Sequence, residues 1–455
     1  MKKKLVYILA GCLFATGMIT SCRQDRSGEY YALISTQTWL YEVMQQNYLF
    51  YEDIPAEDGL NFFSKPHEFI SHIVSPKDQK NGTKFTHVDS TYATPLTRAD
   101  HNPSFGFEGA IVRIPDGSEA IRVIYTQADS PAEEAQLKRG DWIIAANGKR
   151  IKNTDYSTYI SNPKQAYDFT LGAFNGEGFD TLQTVKMPAP RMVANKDLLD
   201  NHIITSGSRK ACYILYNEFG KDQEQLKSFF AQLGSLSFDD IILDLRYNPG
   251  GYVSTSQTLS SMLAPASAMN KPFLKMTYND KINKTDVLNL DPTSLGTSSP
   301  LEYKNLYVIT SRNTASASEI VINGLRPYMK GRLFQVGTNT FGKNLAQELF
   351  TDERASQIEL WMTTCSLSNS EDFGDYFTDG LKTDFDIKED LLGQLGNLGT
   401  EQDSLLLPIL HHMANGSFPT PVPEEQETRS SEKTKVLINS IALKPQLCII
   451  KELNK

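Results

Sequence analysis

Between residues 30 and 73 apolar side chains recur every three or four positions, at Leu40, Val43, Met44 and Tyr48 and again at Phe69, Ile70 and Ile73. That period predicts a small unit of amphipathic helices. Residues 76–103 are polar, with Pro and Asn-Gly signals, and predict a connection. From about 104 to 188 the pattern changes to short β-branched runs, at 109–114, 120–126, 141–148, 168–174 and 182–187. One short helix is announced by Ser130-Pro131, with Pro preset for a first helical turn. Together these predict a small β-barrel. Residues 189–205 predict a linker running into a strand. Beyond it strands and helices alternate. Strands are expected at 212–219, 240–248, 306–312, 332–336 and 356–365, and helices at 222–233, 254–264 and 316–329. Such alternation predicts βαβ units and an α/β layer fold. After about 415 the chain is polar and Pro-rich, and the pattern assigns nothing to 436–455.

Composition narrows the classes. The chain has 455 residues, 45 Lys+Arg against 54 Asp+Glu, and a net charge of −9. An acidic chain lacks the broad positive field of nonspecific nucleic-acid binding, so no nucleic-acid partner is expected. Lys2, Lys3 and Lys4 precede an uncharged run at 5–21, which is short for a spanning helix and suits a secretory signal peptide at 1–21. The stretch Ile19-Thr20-Ser21-Cys22 resembles a bacterial lipobox, which implies lipid attachment at Cys22 and a tether at 23–29. Cys212 and Cys365 lie in apolar runs as small hydrophobes, with Cys448 the third mature cysteine. No CxxC pair exists, and neither a disulfide framework nor a metal site is expected.

Three features carry chemistry. Asp244-Leu245-Arg246-Tyr247-Asn248-Pro249-Gly250-Gly251 ends an apolar strand, and its glycines allow backbone N–H groups to approach a ligand closely. Thr314-Ala315-Ser316-Ala317-Ser318-Glu319 lies between a strand and a helix, where a serine either caps the helix or uses its N-terminus to favour developing negative charge. Gly337-Thr338-Asn339-Thr340-Phe341-Gly342-Lys343-Asn344 holds a lysine that burial would make a general base. The last segment also nearly matches a nucleotide-binding P-loop, with Asn344 where a hydroxyl should hold Mg²⁺. No His falls between 203 and 410, so a serine there needs a base other than histidine, and Lys343 is the candidate.

In this order the three segments strongly resemble the C-terminal processing peptidases, or tail-specific proteases. The resemblance implies Ser318 as nucleophile, Lys343 as general base 25 residues later, and Gln347 as the residue that orients the lysine. It implies an oxyanion hole from the backbone N–H groups of Gly250 or Gly251 with that of Glu319. Ser104-Phe105-Gly106-Phe107 looks like the carboxylate-binding loop of PDZ domains, and residues 129–151 resemble the PDZ segment that follows. Asn344, Gln136 and Thr383 depart from the usual Gly, Gly and Pro. The helical start and Cys22 are similar to those of Bacteroidetes-type lipoprotein members.

The resemblance implies a multidomain chain: signal peptide 1–21, tether and helical unit 22–103, PDZ-like β-barrel 104–190, α/β (ClpP/crotonase-like) catalytic domain 191–410 and tail 411–455. It implies a serine endopeptidase without cofactor or metal, acting on exported proteins or peptides with free C-termini and held by its lipid to a membrane of the cell envelope. A non-catalytic peptide-binding lipoprotein and a nucleotide-dependent protein stand as the other classes.

Overall fold

The computed structural model describes residues 27–90, 102–194, 196–296, 299–420 and 434–451. The expected signal segment and Cys22 lie outside the described residues.

The helical start forms as its period requires. Helices Ser27–Asn47 and Pro66–Ile73, with Tyr48 just after the first, bury Trp39, Leu40, Met44, Tyr48, Phe69, Ile70 and Ile73 in one cluster. The cluster is closed by Leu360 and Met362, from the long strand Ile358–Ser368. The stretch expected to be a connection contains short strands. Gln79–Lys80 pairs with Thr83–Lys84, and His87–Ser90 adds to Ile358–Ser368 as an antiparallel neighbour. The N-terminal unit is thereby stitched to the sheet that carries the site.

Residues 104–191 form a sheet domain. Its strands run in the order Lys435–Asn439, Phe107–Arg113, Glu119–Thr126, Trp142–Ala146, Tyr167–Phe174, Phe179–Met187, with Lys149–Arg150 on the side. Among the described residues this path has two ends. Its first member comes from the far C-terminus. Phe105 and Phe107 are buried in the core of the domain beside Phe169.

The α/β region holds a six-stranded sheet ordered Leu198–Ser206, Arg209–Tyr216, Asp240–Asp244, Asn305–Thr310, Leu333–Gly337, Phe385–Asp386. Only the first pair is antiparallel. Parallel strands are buried on both faces, and the side chains divide accordingly. Cys212, Ile214, Ile241, Leu243, Leu306 and Val308 face the helices Glu224–Leu233, Val253–Leu263 and Ala317–Leu325. Tyr213, Leu215, Ile242, Tyr307 and Ile309 face the helix Leu407–Asn415. That helix crosses the boundary expected at 410/411. Each fully buried Leu, Ile or Phe here contributes about 1.5–3 kcal/mol.

A second sheet is ordered Gly251–Tyr252, Cys448–Lys451, Leu345–Phe350, Ile358–Ser368, Pro272–Tyr278, Thr285–Asn289. The C-terminal strand is parallel to both of its neighbours. The tail that the pattern left unassigned therefore supplies one strand to each of two sheets.

Candidate active site

The strand Asp240–Asp244 delivers the Asn-Pro-Gly-Gly turn. Asn248 shapes it: the side-chain amide donates to the Tyr216 carbonyl at 2.9 Å, and its oxygen accepts the Gly250 N–H at 2.9 Å. Both glycines have positive φ, 112° and 139°. A Cβ on Gly250 would lie 2.7 Å from the Ser316 Cβ, and one on Gly251 would strike the Phe219 backbone. Only glycine lets this turn pass so close to the serine.

Under the turn lies a charge network. Arg246 is fully buried; its guanidinium contacts both oxygens of Asp244 at 2.9 and 3.0 Å, both oxygens of Asp403 at 3.0 and 2.6 Å, and Glu389 at 3.0 Å. Glu389 also accepts from Arg139 of the sheet domain at 2.6 Å and from the Tyr247 hydroxyl at 2.6 Å. These charges fix the turn and join the two domains.

Ser316 and Ser318 meet different surroundings. Ser318 is in the first turn of the helix Ala317–Leu325, and its hydroxyl donates to the Asn248 carbonyl at 3.2 Å. No hydrogen bond joins it to Lys343. Ser316 is the residue before the helix, with φ 62° and ψ −115°, a backbone conformation rare for a residue with a Cβ. Its N–H donates to Glu319 Oε2 at 2.7 Å, and its Oγ donates to the carbonyl of Leu447 at 2.7 Å. The Gly251 N–H donates to the same carbonyl at 2.8 Å. The hydroxyl expected at position 318 is thus given to the loop at Asn248, and that of Ser316, two residues earlier, to the C-terminal segment at Leu447.

Glu319 was expected to lend its backbone N–H to an oxyanion. The structure gives its buried side chain a different task. The carboxylate accepts from Ser316 N–H, Lys343 N–H, Gly342 N–H and the Thr340 hydroxyl, at 2.5–2.7 Å. It ties the backbone of the serine turn to the backbone of the lysine loop. Ala317 N–H, the first of the helix, has no intrahelical acceptor.

Lys343 is fully buried. Its Nζ donates to Gln347 Oε1 at 2.8 Å and to the Gln446 carbonyl, and lies 4.4 Å from the centre of the Phe85 ring. Gln347 is held in that orientation because its Nε2 donates to the Phe85 carbonyl. Burial pushes the Lys343 amine down to about 8, against the smaller opposing pull of Cys448, Asp78 and Glu319. Lys343 and Gln347 are therefore together as expected. The stretch 78–86 completes their pocket: Asp78, buried, accepts from Tyr48 at 3.0 Å and Thr363 at 2.7 Å, and Phe85 supplies ring and carbonyl. Neither was singled out from the sequence. The Phe85-Thr86 pair of an aromatic and a β-branched residue inside the polar run was the available signal.

The near P-loop does not form one. Lys343 runs on into the strand Leu345–Phe350, whereas a phosphate cradle needs a helix N-terminus there. In the other candidate site, Gly106 has φ 72° and no room for a Cβ beside Ser130. The Ser104 N–H donates to the Arg191 carbonyl at 2.9 Å. Ser104, Gly106 and Phe107 line a cavity of about 460 Å³ whose far wall includes Gly250 and Leu447.

A family model described as peptidase family S41 matches residues 210–387, and one described as the peptidase S41 N-terminal domain matches residues 35–86. The structure of an S41 protease from Bacteroides fragilis is 30% identical and superposes with a TM-score of 0.72, over 82% of this chain and 96% of that one. The carboxyl-terminal-processing protease of Picosynechococcus sp. is 28% identical over 51% of this chain and 53% of its own length. The carboxy-terminal processing protease CtpB of Bacillus subtilis is 25% identical over 57% of this chain and 52% of its own. The chain spans about half the length of these curated relatives. The class so defined is a serine-type peptidase, a hydrolase. The chain belongs to peptidase family S41.

Proposed function

We propose that the protein is a serine endopeptidase in which Ser316 is the nucleophile, Lys343 the general base and Gln347 the positioning residue. The observation that carries this is the state of Lys343: fully buried, hydrogen-bonded only to neutral acceptors, with its amine pushed down to about 8. Such an amine is neutral often enough near neutral pH to take a serine proton. Ser316 stands at the helix start beside Gly250 with its Oγ bonded to the Leu447 carbonyl, whereas the Ser318 hydroxyl is taken by Asn248, which supports Ser316 over Ser318. The hydroxyl attacks a peptide carbonyl as its proton passes to Lys343, and the resulting ammonium then protonates the leaving amine. A water molecule repeats the cycle on the acyl-enzyme. The negative charge that builds on the carbonyl oxygen is received by Ala317 N–H, next to the nucleophile, and by an N–H of the Gly250-Gly251 turn. Gly251 already holds a carbonyl oxygen, whereas Gly250 is tied to Asn248.

The sheet domain acts as a PDZ-like reader of substrate tails, taking a free C-terminus near Gly106 and passing the chain toward Gly250 through the shared cavity. Substrates are exported proteins or peptides, met in the cell envelope by an enzyme anchored through Cys22. Cleavage of an unstructured protein by Ser316→Ala, Ser318→Ala and Lys343→Ala variants, each compared with its parent once residues 435–451 have been cleared from the site, tests the dyad. Loss in the first and third with retention in the second is the expected result; loss only in Ser318→Ala overturns the assignment. Membrane fractionation of Cys22→Ala tests the anchor, and equal binding of free-acid and amidated peptides would remove the tail-reading role.

A further inference from the structure

Residues 435–451 occupy two peptide-accepting edges in one continuous run. Lys435–Asn439 lies antiparallel on Phe107–Arg113, in the register Lys435↔Arg113, Val436↔Val112, Ile438↔Ile111, Asn439↔Ala110. Ser440 extends the pairing, its N–H donating to the Gly109 carbonyl at 3.0 Å and its Oγ accepting the Gly109 N–H at 3.0 Å. Phe107–Arg113 directly follows the Ser104–Phe107 loop, and without the tail it would be the open edge of its sheet. Lys444 then anchors the path, its Nζ 3.1 Å from Glu108 and 3.1 Å from the Tyr125 hydroxyl. Next the tail enters the cleft. Cys448 pairs with Gly251 on one side, and Ile449 with Gln347 on the other.

Inside the cleft the tail's carbonyls occupy the donors of the site. The Leu447 carbonyl takes the Ser316 hydroxyl and the Gly251 N–H, and the Gln446 carbonyl takes Lys343 Nζ. The Cys448 thiol, pushed up to about 11 by burial, is next to both Lys343 and Ser316. The hydroxyl proton and an amine proton of the dyad are thus both given to the tail, and Ser316 and Lys343 make no hydrogen bond to each other. In-cleft pairing is short: two bridging pairs on each side, with a register break between Gln347 and Glu348. With so few pairs the segment is held in the cleft chiefly by the burial of Leu447, Cys448 and Ile449, while the covalent link to the rest of the chain keeps its effective concentration high.

We propose that residues 435–451 are an internal peptide ligand, seated as an extended apolar substrate would be on both the sheet-domain edge and the Ser316–Lys343 cleft, so that the intact chain is held inactive until the tail is displaced. This rests on the peptidase assignment above. It also defines the ligand class of the combined site: an extended segment that runs antiparallel to Phe107–Arg113 and then parallel to Leu345–Phe350, with an apolar residue at the place of Leu447, which packs against Tyr252 and Trp361.

The test begins with the full chain, folded with its tail in place. A recognition sequence for a specific processing protease is inserted between Thr420 and Thr434, the folded protein is cut, and the released tail is removed by gel filtration. A second variant, Leu447→Asp, expels the tail without any cut. Casein cleavage and the anisotropy of a fluorescent peptide of sequence 435–451 are then measured for the intact, cut and Leu447→Asp proteins. The expected result is a rise in casein cleavage of tenfold or more in both altered forms, peptide binding by them and not by the intact protein, and inhibition of cleavage by that peptide. Equal cleavage by intact and tail-free protein, or folded tail-free protein that is inactive until the peptide is restored, overturns the proposal and makes the tail a structural strand. Peptide binding by a tail-free protein that cleaves nothing overturns the peptidase assignment instead and leaves the internal ligand standing.

Discussion

Arg246 and Lys343 are both cations with no solvent exposure, yet their surroundings are opposite. Arg246 is enclosed by Asp244, Asp403 and Glu389. Burial alone would lower its proton affinity; the three carboxylates overcome that and hold it above its ordinary value. Lys343 has an amide oxygen, a backbone carbonyl and an aromatic face, and burial wins. The same desolvation yields a permanent charge in one place and a proton switch in the other. The difference is made by acids placed or withheld. A guanidinium fork suits the first task, and an amine that can become neutral suits the second.

The comparison breaks most severely when the switch is made permanent. In tail-displaced protein, Lys343→Arg installs a cation that cannot accept a proton, and cleavage is expected to fall by at least about 10³-fold, as for Ser316→Ala. The double variant should be no worse than either single one, because nucleophile and base act as a unit. Ser318→Ala should keep most of the activity, since that hydroxyl serves the Asn248 carbonyl. Steady-state cleavage with circular dichroism as a folding check decides. An active Ser316→Ala would end the assignment.

Removing the permanent charge acts on stability first. Arg246→Met leaves Asp244 and Asp403 buried and unpaired, and an uncompensated buried charge costs about 3–5 kcal/mol. Urea unfolding should show that loss, and Arg246→Lys should recover only part of it because the fork is gone. The Glu319→Gln variant is intermediate. It exchanges an acceptor of four hydrogen bonds for a group whose amide end meets donors, with an expected loss of about 1–3 kcal/mol and a larger relative loss of kcat than of KM.

How much of this was legible beforehand follows the same line between local and distant causes. The helical unit, the alternating α/β order and the three chemistry-bearing segments are local patterns, and they are where the pattern placed them. The difference between Ser316 and Ser318 was not, because both flank Ala317 and only the folded backbone, with its positive φ at Ser316, gives one hydroxyl to Leu447 and the other to Asn248. The role of Glu319 was hidden for a related reason: its carboxylate partners lie at 340–343, across a loop whose path is tertiary. Asp78 and Phe85 sit among strands of two residues, too short to show a period. The tail strands are paired with residues from about 100 to more than 300 positions away, and an apolar run without its partner strand has no assigned edge.

The proton switch itself has a signature in pH. Activity of the tail-displaced enzyme should rise with pH as Lys343, whose proton affinity burial lowers, gives up its proton. The stability sign follows from the lowering to about 8 in the intact fold. The folded amine binds a proton less readily than the unfolded amine, whose value is 10.5. Between these two values the unfolded state carries more protons, so raising the pH stabilises the fold, by on the order of 2–3 kcal/mol across the window. Lys343→Met should remove that gain, leaving a flatter stability profile from pH 8 to 10.5 in urea titrations.

The finest test moves Lys343 part of the way toward the condition of Arg246. Gln347→Glu places a carboxylate where Oε1 now meets Nζ, so the ammonium form is favoured and the activity midpoint should move above that of the parent. Gln347→Ala withdraws an acceptor that favours the ammonium, so its midpoint should move below that of the parent, with a loss in kcat of roughly tenfold from the freed side chain and little change in KM. A role confined to packing predicts no such opposition, because both substitutions disturb the same buried site beside the Phe85 carbonyl. Full pH profiles of kcat for the two variants read the sign directly. Midpoints shifted in the same direction would show that Gln347 holds the strand and does not set the protonation of Lys343.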